Sequence, residues 1–167
     1  MQHFNFHRKD LQLFGKNHVD LVYSQTELSS FINQPFSLEA FSNQIEQKSQ
    51  NFPRENRDAL VKALKSQYSF VSNKEKALKL IETLSDENTF TVTTGHQLSL
   101  FTGPLFFVIK ILQVIKQAEV LSAKHADKRF VPVYWMATED HDFEEIQKAN
   151  LFSDELVWES TQKGPVG

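Results

Sequence analysis

The sequence contains no cysteine. Disulfides, thiolate-ligated zinc and a cysteine nucleophile are therefore excluded, and the composition fits a reducing compartment. Glycine and proline are scarce, five of each in 167 residues, so the bends that glycine marks stand out. An excess of one charge is lacking too. The formal net charge is −3, and no basic block or aromatic–basic interleaving suits a polyanion, which argues against nucleic acid as a partner. The first ten residues, MQHFNFHRKD, are too polar for a secretory signal. The longest apolar run, near residues 105–109, is broken by Lys110 and Gln113, so no transmembrane span is expected. These absences leave a cytoplasmic protein without a membrane or nucleic-acid partner as the expectation.

What is present suffices for one compact domain. Hydrophobic residues make up 40% of the chain, enough to bury a core. Residues 1–88 are polar, rich in Gln, Asn, Ser and Lys, and helical in pattern; residues 89–167 hold more β-formers and aromatics. We therefore expect a helical region over 1–88 and the first part of a Rossmann-like core over 89–167. In the helical region Ser37 is an N-cap candidate, with Phe36 and Phe41 spaced for a hydrophobic staple. Pro53 suits a helix start, where its missing N–H costs little. Ala59, Leu60, Ala63 and Leu64 then form an apolar stripe. Ser72 and Glu75 stand at capping-box spacing before Ala77, Leu78, Ile81 and Leu84. Capping and packing account for these residues without any chemistry.

Residues 89–94, TFTVTT, are β-branched and aromatic and read as a strand. Residues 95–103 form a bend with a glycine at each end. A helix is expected from Pro104 to about His125, with Thr102 as its N-cap candidate. Lys110, Gln113, Gln117 and Lys124 make one narrow polar stripe on it, so most of that helix should be buried. Residues 129–137, RFVPVYWMA, form a near-continuous apolar strand, the pattern of a strand covered on both faces in a parallel sheet. Another helix is expected to start in TEDHDFEEIQKANLF, residues 138–152. ELVWES, residues 155–160, is a candidate third strand. Strand, bend, helix, strand is a βαβ unit, so the fold class is α/β, a doubly wound, nucleotide-binding type preceded by a helical region. Two or three strands leave an open sheet of this class incomplete, and the expectation is the front part of a larger protein.

In open parallel sheets, ligands bind beyond the carboxyl ends of the strands. Here those ends carry TTGHQ and ATEDHDFEE. With the strands adjacent, His96 and Gln97 should face the acidic cluster at 139–142 across one crevice. The first loop leads into a helix N-terminus, which favours anions through free N–H groups and the helix dipole. Its candidate substrate- or anion-binding residues are Thr94, Gly95, His96, Gln97, Gly103 and Lys110. The glycines admit close backbone approach, and His96 and Gln97 add donors. The stretch is neither a P-loop nor GxGxxG. A plain strand-to-helix turn with a locally bonded histidine would also account for it.

The second loop gathers Glu139, Asp140, Asp142, Glu144 and Glu145 around His141. Acidic residues stabilise a helix start by themselves, and Asp142 with Glu145 has capping-box-like spacing. As chemistry, the cluster suits an ammonium group, or a general base that removes its proton. Asp140, His141 and Asp142 are the catalytic candidates, and Glu139 is a candidate substrate contact. No helix-spaced histidine pair or other ligand pattern marks a metal site. One loop thus suits a carboxylate or phosphate and the other an amine. Joining an activated acyl group to an amine needs both, and the amine must be neutral when it attacks.

TTGHQLSLFTGPLFFVIK followed by VPVYWMATEDHDFEEI resembles the bacillithiol biosynthesis cysteine-adding enzyme (BshC) family. The matching positions are Thr94, Gly95, His96, Gln97, Phe101, Thr102, Gly103, Pro104 and Lys110, then Val131, Pro132, Val133, Tyr134, Trp135, Glu139, Asp140, His141, Asp142 and Phe143. The resemblance implies a Rossmann-like core of nucleotidylyl-transferase type. It implies a ligase that forms an amide bond between cysteine and glucosaminyl-malate, its small-molecule substrates, in the last step of bacillithiol synthesis. It also implies a longer chain with a coiled-coil insertion, and a homodimer. At second hand it implies ATP as the activating cofactor, although the transferases' His-x-Gly-His pattern is absent and Gly95-His96-Gln97 only occupies a comparable place. The alternative is a non-catalytic nucleotide- or metabolite-binding module, which would keep the His96 bend and not need the acidic loop.

Overall fold

A computed structural model gives the fold. It describes residues 4–23, 26–35, 37–100 and 103–166, without the side chains of Arg8, Thr26 and Glu27. The Phe36 staple and the Thr102 cap lie outside the described residues. The chain forms two compact units, residues 1–53 and 54–167. The shift in composition near residue 88 therefore falls inside the second unit.

The first unit contains α1 (Lys16–Val22) and α2 (Ala40–Asn51). Ser37 does not hold the cap position of α2, which falls on Glu39 without a side-chain bond, but its Oγ accepts from the Ala40 N–H at 3.2 Å in the turn that leads into the helix. Asn33 ties the preceding segment to the helix, its Nδ2 donating to Gln44 Oε1 at 3.0 Å and to Gln47 Oε1 at 2.8 Å.

The second unit opens with α3 (Arg54–Gln67), directly after Pro53, and α4 (Glu75–Thr83). The expected Ser72 capping box does not form. Asn73 adopts φ 55°, which turns the chain before the helix, and Lys74 holds the cap position with no side-chain bond. Next come β1 (Thr89–His96), α5 (Leu105–Lys124) and β2 (Arg129–Met136). The two strands pair in parallel, from Thr89 opposite Arg129 to His96 opposite Met136. α5 packs on both. This is the βαβ unit that the residue pattern predicts, and the fold class is α/β.

The core lies toward the amino ends of the strands. Phe90, Phe130 and Val131 are buried, with Val114, Ala118 and Leu121 from α5 and Ile81 and Leu84 from α4. Arg57 of α3 is buried as well. Its Nη1 donates to the carbonyls of Leu84, Asp86 and Thr89 at 3.1, 2.9 and 2.9 Å, and its Nη2 to that of Glu87 at 3.2 Å. These carbonyls line the turn from α4 into β1, so one guanidinium supplies the donors that water would otherwise give them.

Burial stops short of the far end. The expected near-complete burial of α5 is not found: Leu105, Phe106, Ile109, Leu112 and Ile115 are exposed. Nor is β2 covered throughout, since Trp135 and Met136 are 59% and 55% exposed. Two paired strands cover only one side of a helix, so the apolar pattern exceeds the surface available to bury it. The helix expected after residue 138 is a single turn, α6 (Phe143–Ile146). The following residues form β3 (Lys148–Leu151), antiparallel to β4 (Asp154–Val157). Residues 155–157 of the ELVWES stretch therefore belong to a hairpin and not to the parallel sheet. Phe152, at φ 58°, turns the chain in the two-residue loop, and the partner strand it brings back overrides the local helical spacing. No described helix is long and apolar enough to cross a membrane.

Candidate functional site

β1 and β2 end side by side, with Gly95 opposite Trp135. A Cβ on Gly95 would lie 3.1 Å from Trp135 Cβ and 3.2 Å from its carbonyl oxygen, which is why a glycine suits this pairing. Gly103 has φ 61°, and a Cβ there would come within 2.7 Å of Ser99 Cβ. Both glycines thus let the first loop fold tightly between β1 and α5.

His96 sits inside that loop. Its ring lies 5.1 Å from the Phe106 centroid and 5.6 Å from that of Phe107. Nδ1 is 2.8 Å from the Gln97 carbonyl oxygen. A carbonyl only accepts, so Nδ1 is the donor of that bond. Nε2 lies 3.9 Å from Glu145 Oε2. The His96 carbonyl accepts from the Tyr134 hydroxyl at 2.6 Å and from the Ala137 N–H at 3.2 Å. Burial pushes the Tyr134 pKa up, which keeps the hydroxyl a donor. Lys110 Nζ donates to the Gly95 carbonyl at 3.2 Å and lies 5.3 Å from the Phe106 ring centroid. Thr94 stays within the strand pairing, opposite Tyr134.

The two loops meet at Gln97, which is 1% exposed. Its Nε2 donates to Glu145 Oε2 at 2.7 Å and to the Asp142 carbonyl at 3.3 Å. The donor end of this amide is therefore committed to the second loop. That loop is held by short local bonds. Asp142 Oδ1 accepts from the Glu145 N–H at 3.3 Å, the cap that the spacing predicts, and the Asp142 N–H donates to Asp140 Oδ1 at 3.1 Å. Glu139 Oε1 accepts from Trp135 Nε1 at 3.4 Å. His141 is exposed.

The structure thus brings His96 and Gln97 against the stretch that carries Asp142, and keeps Lys110 beside Gly95. Glu145, counted in the sequence as part of the acidic cluster and of a helix start but not among the site residues, is the side chain that joins the loops. The signal for it was the capping spacing itself: a residue three positions after a capped Asp142 sits on the first turn of α6, next to the strand end. An open hollow of about 600 Å³, lined by Phe143, Gln147, Glu159, Ser160 and Thr161, lies beside α6 and includes none of the expected site residues. Among the described residues, no three His, Asp or Glu side chains gather as a metal site. For the nucleotide implied at second hand, the fitting feature is the start of α5, where the cap position is held by Pro104 without a side-chain bond and free N–H groups would favour phosphate oxygens.

A family model described as Bacillithiol biosynthesis BshC, N-terminal Rossmann-like domain, matches residues 4–167. The protein named "Putative cysteine ligase BshC" from Flavobacterium johnsoniae is 46% identical over 154 residues, 92% of this chain and 29% of that protein. Its namesake from Flavobacterium psychrophilum is 46% identical over 155 residues, with 92% and 29% covered. The one from Cytophaga hutchinsonii is 42% identical over 159 residues, with 95% and 30% covered. The chain spans under a third of the length of these relatives.

Proposed function

Since the chain belongs to the bacillithiol biosynthesis BshC family, as its N-terminal Rossmann-like domain, we propose that it contributes part of the active site of a cysteine ligase. The complete protein would join the carboxyl group of cysteine to the amine of glucosaminyl-malate and act as a homodimer. The name carried by the relatives supports the reaction class. The observation that carries the reading is the Gln97–Glu145 bridge of 2.7 Å, because it holds a histidine and an acidic loop at one strand end.

Amide formation needs a neutral amine and an activated acyl carbon. The nitrogen lone pair forms the C–N bond, the activating group leaves the acyl carbon, and the surplus proton of the amine goes to a base. His96 Nε2, 3.9 Å from Glu145 Oε2, would receive that proton when its lone pair is free. Asp140, His141 and Asp142 line the side from which an ammonium group would be attracted, with Glu139 beside them. An acyl or phosphate oxygen would be met by the backbone around Thr94, Gly95 and Gly103, by the start of α5 and by Lys110. A bound nucleotide would supply the activation of the carboxylate.

The test is amide formation by the full-length protein with cysteine and glucosaminyl-malate. Asp142→Asn keeps a capping side chain and removes a charge, and turnover should fall about 10²-fold. Unchanged turnover would favour the non-catalytic binding module.

A further inference from the structure

We propose that the junction of the two loops recognises a primary ammonium group, with Gln97 acting through its buried carbonyl oxygen. The argument starts from the direction of the amide. Both partners of Gln97 Nε2, the Glu145 carboxylate and the Asp142 carbonyl, only accept hydrogen bonds. The amide therefore cannot flip, since a flipped Oε1 would face a carboxylate. In the fixed orientation Oε1 is buried with no hydrogen-bond partner, and so is Ser99 Oγ two residues on. Buried polar atoms are nearly always paired, and an amide oxygen can be paired only by a donor.

The surrounding groups have the same character. Glu145 Oε2 also lies 3.9 Å from His96 Nε2. Gln97 Oε1 and the Glu145 carboxylate both accept, and the Gln97 amide holds the two at one place; Ser99 Oγ, two residues on, can accept as well as donate. A carboxylate or phosphate would meet the Glu145 charge, whereas an ammonium brings three donors and a compensating charge. Residues 97–99 lie in neither helix nor strand, and Leu98 is 45% exposed. Entry of an ammonium group requires this loop to shift. The inference rests on the ligase reading only for which amine arrives.

Calorimetric titration of the full-length protein with glucosamine and with N-acetylglucosamine tests it, since acetylation removes the charge and two donors. Glucosamine should bind at least tenfold more tightly. Gln97→Met, which keeps the volume and removes the acceptor together with the two bonds donated by Nε2, should weaken glucosamine at least about tenfold and leave the acetylated sugar unchanged. If Gln97→Met does not melt cooperatively, Ser99→Ala replaces it, with glucosamine weakened about threefold. Equal affinity for the two sugars, no binding of glucosamine, or wild-type affinity in a folded variant overturns the proposal. Turnover with cysteine and glucosaminyl-malate, measured in parallel, separates the two readings. Turnover without amine selectivity removes only the ammonium subsite; selectivity without turnover removes only the ligase.

Discussion

The amino and carboxyl ends of the β1–β2 pair bury different things. At the amino end Phe90, Phe130 and Val131 are closed over by Val114, Ala118 and Leu121, and the polar backbone of the α4–β1 turn is satisfied by Arg57. At the carboxyl end the large apolar side chains are open: Trp135, Met136, Leu105 and Phe106 are all exposed, and the buried group is the amide of Gln97. The same two strands thus serve opposite purposes. One end stores stability in close packing, where removing any methyl group leaves a void. The other forgoes that packing for hydrogen-bonding groups, with Gln97 Oε1 and Ser99 Oγ left unpaired.

The sharpest way to break this contrast is at the amino end. Leu121 is fully buried, so Leu121→Ala should cost about 3 kcal/mol and lower the thermal midpoint by several degrees. An unchanged melt would mean that the packed end is not where stability resides. Arg57→Met should follow at about 2 kcal/mol, because the carbonyls of Leu84 and Thr89 lose their donor in buried surroundings; a urea titration reads this directly. Glu145→Gln, at the other end, should change the urea midpoint by less than about 1 kcal/mol, since the carboxylate is half exposed. The same variant should reduce turnover of the full-length protein by about tenfold or more. A large stability loss with intact turnover would reverse the comparison. Tyr134→Phe is the mildest, about 1 kcal/mol for the bond to the His96 carbonyl. Burial raises the Tyr134 pKa above its ordinary 10.0. A raised folded value means that the contribution is complete below pH 10 and is lost as pH rises through the folded value. Wild-type melts should therefore fall steeply above about pH 10, and the Phe variant should flatten that fall.

The strands, the buried-to-bend transition and the polar loops were legible from residue type. The β-branched run at 89–94 and the apolar run at 129–137 specify extended chain, and α5 begins within a residue of its expected start. The α6 cap was legible too, since Asp142 and Glu145 interact three residues apart. These are local preferences, and the chain carries them wherever it folds. What pairs with what was a different matter. The conversion of residues 148–157 into a hairpin depends on a partner strand returning across Phe152. The burial of Arg57 depends on carbonyls about thirty residues away. The role of Glu145 depends on Gln97, forty-eight positions earlier. Sequence alone determined that residues 89–94 and 129–136 are strands with a helix between them and a capped turn at 142–145, because those choices rest on short-range backbone and side-chain preferences. Only the tertiary structure decided which amide faces which carboxylate, because that geometry arises when distant segments are brought to the same strand end.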